Sequence, residues 1–391
     1  MARYCEDYFQ LVLTFYHFTG LKKSSNSLSR VISLYILYPL LLTVFVMAII
    51  NFRYNYHSVS GIVEVFMSAT SFGYMVLFKT LLIIFKPIFE DLISQRTSFW
   101  KYHLLGTLTE KKCHKRMSLS LSIIKFLLVS EIFSISVHSA APLFMEKLDL
   151  PHPCWIPGNN NKIRIVVYVL QVTFYVEVAF LLIVVIGFFL MMCTELKIQF
   201  ELLCRMVSSI NIEETGEELC WQQLKHCYKY HYFLLQMHDK LNTIFSGYFV
   251  CAYFLTIGGT CLPLFVMFDP SSSFGQIAEG VFFITITNAM FTLVIIPIDE
   301  VEIVSARLAD EIYSVDWYNA NLKILKFVLF WMAQAQIPVQ MSGAGIFQVN
   351  RTLLLRRADF CRARQGQTRY GSYGMRIHCG CGLHFVYLRL E

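Results

Sequence analysis

The sequence predicts an all-α fold, a polytopic membrane helical bundle whose N-terminus lies in the cytosol. Two observations carry the prediction. The chain of 391 residues is 56% hydrophobic and only 15% charged, and its apolar residues come in blocks long enough to span a bilayer. Lysines and arginines then segregate between alternate loops. One side collects 19 of them and the other only Arg53, Lys147, Lys162 and Arg164. The cation-rich side is the cytosolic one.

The other composition figures exclude more than they assign. A net charge of +6, dispersed over loops, is not a nucleic-acid footprint, so no nucleic acid is expected as a partner. Twelve cysteines are scattered and read as mostly free thiols. There is no glycine-rich phosphate loop, no His-Glu-x-x-His and no Gly-x-Ser-x-Gly, so the chain is not expected to be an enzyme. No cofactor or metal is expected. His226 and His231 are five apart, the wrong relation for a chelate on one helix face, and His378, Cys379 and Cys381 lie in an irregular tail.

In chain order, 1–30 reads as a cytosolic segment without a cleavable signal. Within it, 8–18 is either an interfacial helix or a packed N-terminal one. The segment 31–193 holds four spans. The first, 31–50, has no charge and contains Pro39. The second is 62–85, where Glu64 and Lys79 are expected to snorkel to the headgroups. A polar loop is expected over 86–117, then the third span, 118–145, with Lys125 and Glu131 inside it. The loop EKLDLPHPCWIPGNNNKIR reads as a proline-stiffened lid before the fourth span, 165–193. Glu177 lies within that span. A buried carboxylate is costly, so Glu131 and Glu177 read either as anchors for a polar ligand or as acids bonded to a Ser or Tyr of a neighbouring helix.

The apolar period continues past the membrane into 194–241, a helical segment interrupted by the acidic loop INIEETGEEL. Spans five and six follow at 242–268 and 277–298, within 242–298. Then 299–341 returns to the cytosol, with 310–336 expected as amphipathic helix. Beyond Asn350, Arg351, Arg356, Arg357, Asp359, Arg362 and Arg364 interrupt the apolar run. Each centrally placed Arg costs roughly 2.5–3.5 kcal/mol on insertion, so 342–391 reads as a broken span with an Arg-rich tail, in the manner of a shifted frame or unusual splice.

The stretch 305–350 is the most distinctive. Tyr313 and Trp317 share a helical face, Lys323 and Lys326 precede the apolar run 327–332, and Gln334 and Gln336 precede Pro338. Ser342-Gly343-Ala344-Gly345 then lets another backbone approach closely. This order resembles the C-terminal signature of insect odorant receptors. The Leu-Pro…Trp-x-Pro…Asn pattern of the 146–164 loop and the His231…Leu235…Leu241…Phe245-Ser246 spacing resemble the same family.

The resemblance implies a seven-transmembrane bundle whose seventh, pore-lining helix is disrupted here. It implies an odour-tuning subunit in the plasma membrane of olfactory sensory neurons, joined with a co-receptor subunit in a tetrameric cation channel and gated by a small volatile odorant. It places the odorant pocket in the outer half of the second, third, fourth and sixth helices. The positions so selected are Met67, Ser71 and Tyr74; Phe133 and His138; Tyr168, Phe174 and Tyr175; and Phe282, Phe283 and Asn288. It also implies an intracellular anchor between subunits, with Tyr313, Trp317, Phe327, Phe330 and Trp331 as its large contacts. A gustatory receptor channel is the nearest alternative, separated by the Tyr-x-x-x-Trp pair. A G-protein-coupled receptor is disfavoured by the cytosolic N-terminus and by the lack of Asp-Arg-Tyr and Asn-Pro-x-x-Tyr. A transporter is disfavoured because no repeat relates the halves.

Overall fold

The structure, a computed structural model, describes residues 4–22, 27–55, 59–140, 150–211, 216–268 and 274–353. Residues up to Arg351 form one unit, and of the second, Thr352–Glu391, only Thr352 and Leu353 are described. Six described helices are long and apolar enough to cross a membrane: Leu28–Tyr54, Gly61–Ile84, Thr107–Val137, Asn161–Ser208, Glu217–Met267 and Gly280–Tyr313. They are called the first to sixth spans below.

The fourth span is the axis of the bundle. Its apolar window is 78% buried, against 11% for the third, which lies at the periphery. The reason is visible in the sequence: 181–193 is apolar on every face, and all of it is buried. A π-helical turn at Ile183–Gly187 interrupts it. At Gly187 an added Cβ would meet Val12 and Ile124 at 3.4 Å, so glycine allows both to close in.

Against this axis packs the helix Tyr4–Phe18, with Phe9, Val12 and Tyr16 on its buried face. The packed reading of 8–18 is therefore the right one. In the first span a second π-turn, Ile32–Leu37, leads into Pro39, which has no N–H to donate.

Several boundaries differ from expectation. The expected loop 86–117 is largely helical: Lys86–Gln95 is a short helix and the third span's helix begins at Thr107. Its charged residues hid an inward stripe, Thr109, Cys113, Met117, Ser120 and Ile124, all buried. The sixth span does not stop at Pro297 but runs unbroken from Phe274 to Tyr313. The expected helix 310–336 is broken at 314–321, and Leu322–Ala335 starts afresh with Asn321 Oδ1 accepting from the Ile324 N–H at 3.0 Å.

The small-residue run Ser342–Gly345 begins no helix. It makes a hairpin with Ser342 paired to Gln348 and Gly343 to Phe347. Ala344 and Gly345 both take positive φ, 48° and 71°, the sign pattern of a tight hairpin turn. The Ser342 and Ala344 N–H groups donate to Asn242 Oδ1 and Ser246 Oγ of the fifth span, at 3.0 and 2.7 Å. Helix resumes only at Arg351. His378, Cys379, Cys381 and the remaining tail arginines lie outside the described residues.

The fifth span is one helix of 51 residues. At about 1.5 Å per residue it is about 76 Å long, against a hydrocarbon core of about 30 Å. Its Glu217–Leu241 half therefore extends beyond the hydrocarbon core, in a layer with the end of the fourth span and the helix Leu322–Ala335. A buried polar network pins that layer. Tyr102 donates to Glu195, Gln199 Nε2 donates to Glu195 Oε1 at 2.7 Å, and Tyr230 donates to Gln199 Oε1 at 2.6 Å. Trp100 stacks on Tyr230 with centroids 3.8 Å apart.

Candidate ligand-binding site

The bundle contains two apolar clusters separated by the second span. The first joins the first, second and fourth spans. Phe174 and Tyr175 pack there with Leu41, Val44, Phe72 and Met75. Helical spacing explains the pairing, since Phe72 and Met75 share one face of the second span while Met67 points elsewhere.

The 150–160 loop forms the roof of this cluster. Gln171, fully buried in the fourth span, clamps it: the His152 N–H donates to Gln171 Oε1 at 3.1 Å and Gln171 Nε2 donates back to the His152 carbonyl at 2.9 Å. The His152 ring meets Phe72 and Tyr175 edge-on, with centroids 5.5 and 5.6 Å away. Further along, the Trp155 N–H donates to the Met47 carbonyl at 3.2 Å and its ring stacks on Tyr54. Burial pushes the Cys154 thiol up to about 11, so it stays protonated at neutral pH. Asn160 caps the fourth span, its Oδ1 accepting from the Lys162 N–H at 2.9 Å.

The second cluster joins the second, fifth and sixth spans. Met67 packs with Val63 and Val266, and Phe283 lies against them. Close approach depends on glycine here: a Cβ at Gly259 would come 3.0 Å from Phe283, and one at Gly258 would collide with Phe66 at 2.5 Å. Asn288 Nδ2 donates to Thr260 Oγ1 at 3.3 Å, tying the sixth span to the fifth. Ser71 and Tyr74 are half-buried, and the Ser71 hydroxyl donates to its own helix at the Met67 carbonyl.

Not every selected residue converges. Phe133, on the peripheral third span, is 69% exposed, and Phe282 is 46% exposed, so both rings face the lipid side. Tyr168 bridges helices by donating to the Ser139 carbonyl at 2.6 Å. The His138 side chain lies outside the described residues.

Below the first cluster sits a pair that inspection of single spans misreads. Lys79 does not snorkel. It is completely buried, and its Nζ donates to Glu177 Oε1 at 2.5 Å. Glu177 thus bonds to a cation rather than to a Ser or Tyr. Lys79 also lies 5.9 Å from the centre of the Tyr38 ring. A usable signal was present: opposite charges at similar depth in two spans that both run inward. Lys79 stands one helical turn below Met75, and Glu177 one below Phe174, so the ion pair floors the cluster. Gln171, His152 and Phe72 were missed because their roles arise only when the loop folds inward.

In the layer around Leu322–Ala335 the residues selected as anchor contacts divide by exposure. Trp331 is wholly buried, its indole donating to His231 Nδ1 at 3.2 Å, so it cannot itself touch a second subunit. Phe327 packs between Trp221 and Tyr228, with centroids 5.0 and 5.4 Å away. Phe330 and Tyr313 are exposed, and Trp317 is half-buried with its indole donating to the Tyr313 carbonyl. His226 stacks on Trp100.

Three comparisons bear on this arrangement. A family profile described as 7tm odorant receptor matches residues 64–355. The solved structure of the insect olfactory receptor OR5 from Machilis hrabei superposes with a TM-score of 0.75 at 14% identity, covering 92% of this chain and 97% of that one. The same receptor in complex with eugenol superposes with a TM-score of 0.69, again at 14% identity, covering 92% and 96%. Among curated proteins compared by sequence, none matches.

Proposed function

Because the chain belongs to the 7tm odorant receptor family, we propose that it is an odour-tuning subunit that binds small volatile molecules between its outer helices and gates a cation channel together with a co-receptor subunit. The observation that carries this reading is the pair of apolar clusters on either side of the second span. Aromatic and aliphatic walls with a few placed polar groups suit a small, mostly apolar ligand. Met67, Ser71, Tyr74, Phe174, Tyr175, Phe283 and Asn288 are the residues assigned to it, with Gln171 and His152 holding the roof. A ligand that fits one arrangement of these helices better than another shifts the chain toward it.

The exposed Phe330 and Tyr313 suit a co-receptor contact in a tetramer, with Phe327 and Trp331 stiffening the layer behind them. The working site is the plasma membrane of olfactory sensory neurons. Co-expression with the co-receptor and a panel of volatiles tests the proposal. We expect odorant-evoked cation current that Tyr175→Ala abolishes or retunes while surface protein persists. Surface-expressed chain that conducts with no volatile, alongside a responsive control subunit, would overturn it.

A further inference from the structure

The cytosolic end of the third span carries charges that no described residue balances. Lys111, Lys112 and Lys115 are exposed within one turn of helix. Lys101, also exposed, immediately precedes Tyr102, whose ring meets His114 of the same helical turn edge-on at 5.2 Å. Two of the carboxylates nearby, Glu201 and Glu195, are already engaged. Glu110 faces His114 at 3.8 Å, Glu201 pairs with Arg116, and Glu195 is buried under Tyr102 and Gln199. None of the four lysines makes an ion pair among the described residues.

Their setting selects what they meet. Leu108, Lys112, Lys115, Leu119, Phe126 and Phe133 recur at helical spacing and share one face of the least buried span. Above Lys115 that face exposes Leu119, Phe126 and Phe133, as a lipid-facing surface does. Lys115 lies one turn, about 6 Å, below Leu119, which puts the lysines at the level of the inner-leaflet headgroups. Leu104 and Leu108 are exposed next to them, on the cytosolic side of the charges. A cation group of this size next to a span suits an acidic headgroup, while Leu119, one turn toward the membrane from Lys115, suits the acyl boundary.

We propose that Lys101, Lys111, Lys112 and Lys115, with Leu119 on their membrane side, bind the headgroup of an anionic phospholipid of the inner leaflet. The site lies on the outside of the bundle and does not depend on the odorant pocket.

The test uses the purified full chain in detergent, with thermal unfolding as readout. The probes are short-chain phosphatidylinositol bisphosphate, phosphatidylcholine of the same chain length, and the soluble inositol phosphate headgroup. The anionic lipid raises the unfolding midpoint and phosphatidylcholine does not. In Lys111→Gln/Lys112→Gln/Lys115→Gln the lipid concentration needed rises about tenfold or more, with the unliganded midpoint near that of the parent. Lys323→Gln/Lys326→Gln, removing two exposed lysines elsewhere, leaves the response intact. If the triple variant does not fold, Lys115→Gln alone carries the comparison, with a weaker response expected. An equal response to phosphatidylcholine, an unchanged response in the lysine variants, or a free headgroup as potent as the lipid would each overturn the proposal.

Discussion

At the scale of single residues, the Lys79–Glu177 pair has the sharpest consequences. Two charges removed from water are tolerated because each neutralises the other, and removing one strands its partner. Lys79→Ala should cost roughly 3–5 kcal/mol and lower the unfolding midpoint in detergent, whereas Lys79→Met/Glu177→Leu should recover most of that loss. A single variant as stable as the parent would show that the pair contributes nothing. Gln171 makes a different kind of contact, since it satisfies both backbone groups of His152. Gln171→Leu leaves those groups unpaired, at about 1–3 kcal/mol each, and should loosen the roof. Protease added outside intact cells should then cut within 150–157 faster, and an unchanged rate would rule the clamp out. Both partnerships escape a linear reading because the partners are 98 and 19 positions apart.

At the scale of elements, Leu322–Ala335 shows how one helix divides its labour. Its buried side places Trp331 against His231, and its exposed side presents Phe330. Trp331→Ala opens a cavity and orphans the imidazole, so we expect roughly 3–5 kcal/mol of destabilisation in the isolated chain. Phe330→Ala should leave that stability nearly unchanged but weaken co-purification with the co-receptor. The reverse pattern would remove Phe330 from the interface. The apolar period of this helix was legible, but its start was not, because the break at 314–321 lies in polar sequence that propensity alone continues. The hairpin after it was misread for a related reason. Small residues permit helix packing and tight turns alike, and only the positive φ at Ala344 and Gly345 separates the two.

At the scale of the whole molecule, orientation is the first thing to check. The asymmetry of Lys and Arg places the N-terminus in the cytosol, so an N-terminal epitope tag should stain only after cells are permeabilised. Staining of intact cells would invert the bundle and move both the pocket and the lysine group to the wrong sides. The fourth span sits centrally because it is apolar all round, and the third lies at the periphery with apolar residues such as Phe126 and Phe133 exposed. This arrangement leaves Phe133 of the third span exposed and concentrates the proposed site around the second.

The sequence by itself determined that the chain is a membrane bundle and roughly where its first six spans lie, since those depend on residue composition summed over about twenty positions. It also pointed to the family, through the spacing around Tyr313, Trp317 and Pro338. Only the tertiary structure decided which aromatics meet, that Lys79 finds Glu177, that the loop folds in to Gln171, and that Trp331 turns inward. Each is a contact between spans, set by the rotation of one helix against another, and a period read along a single helix carries no information about its neighbour's angle.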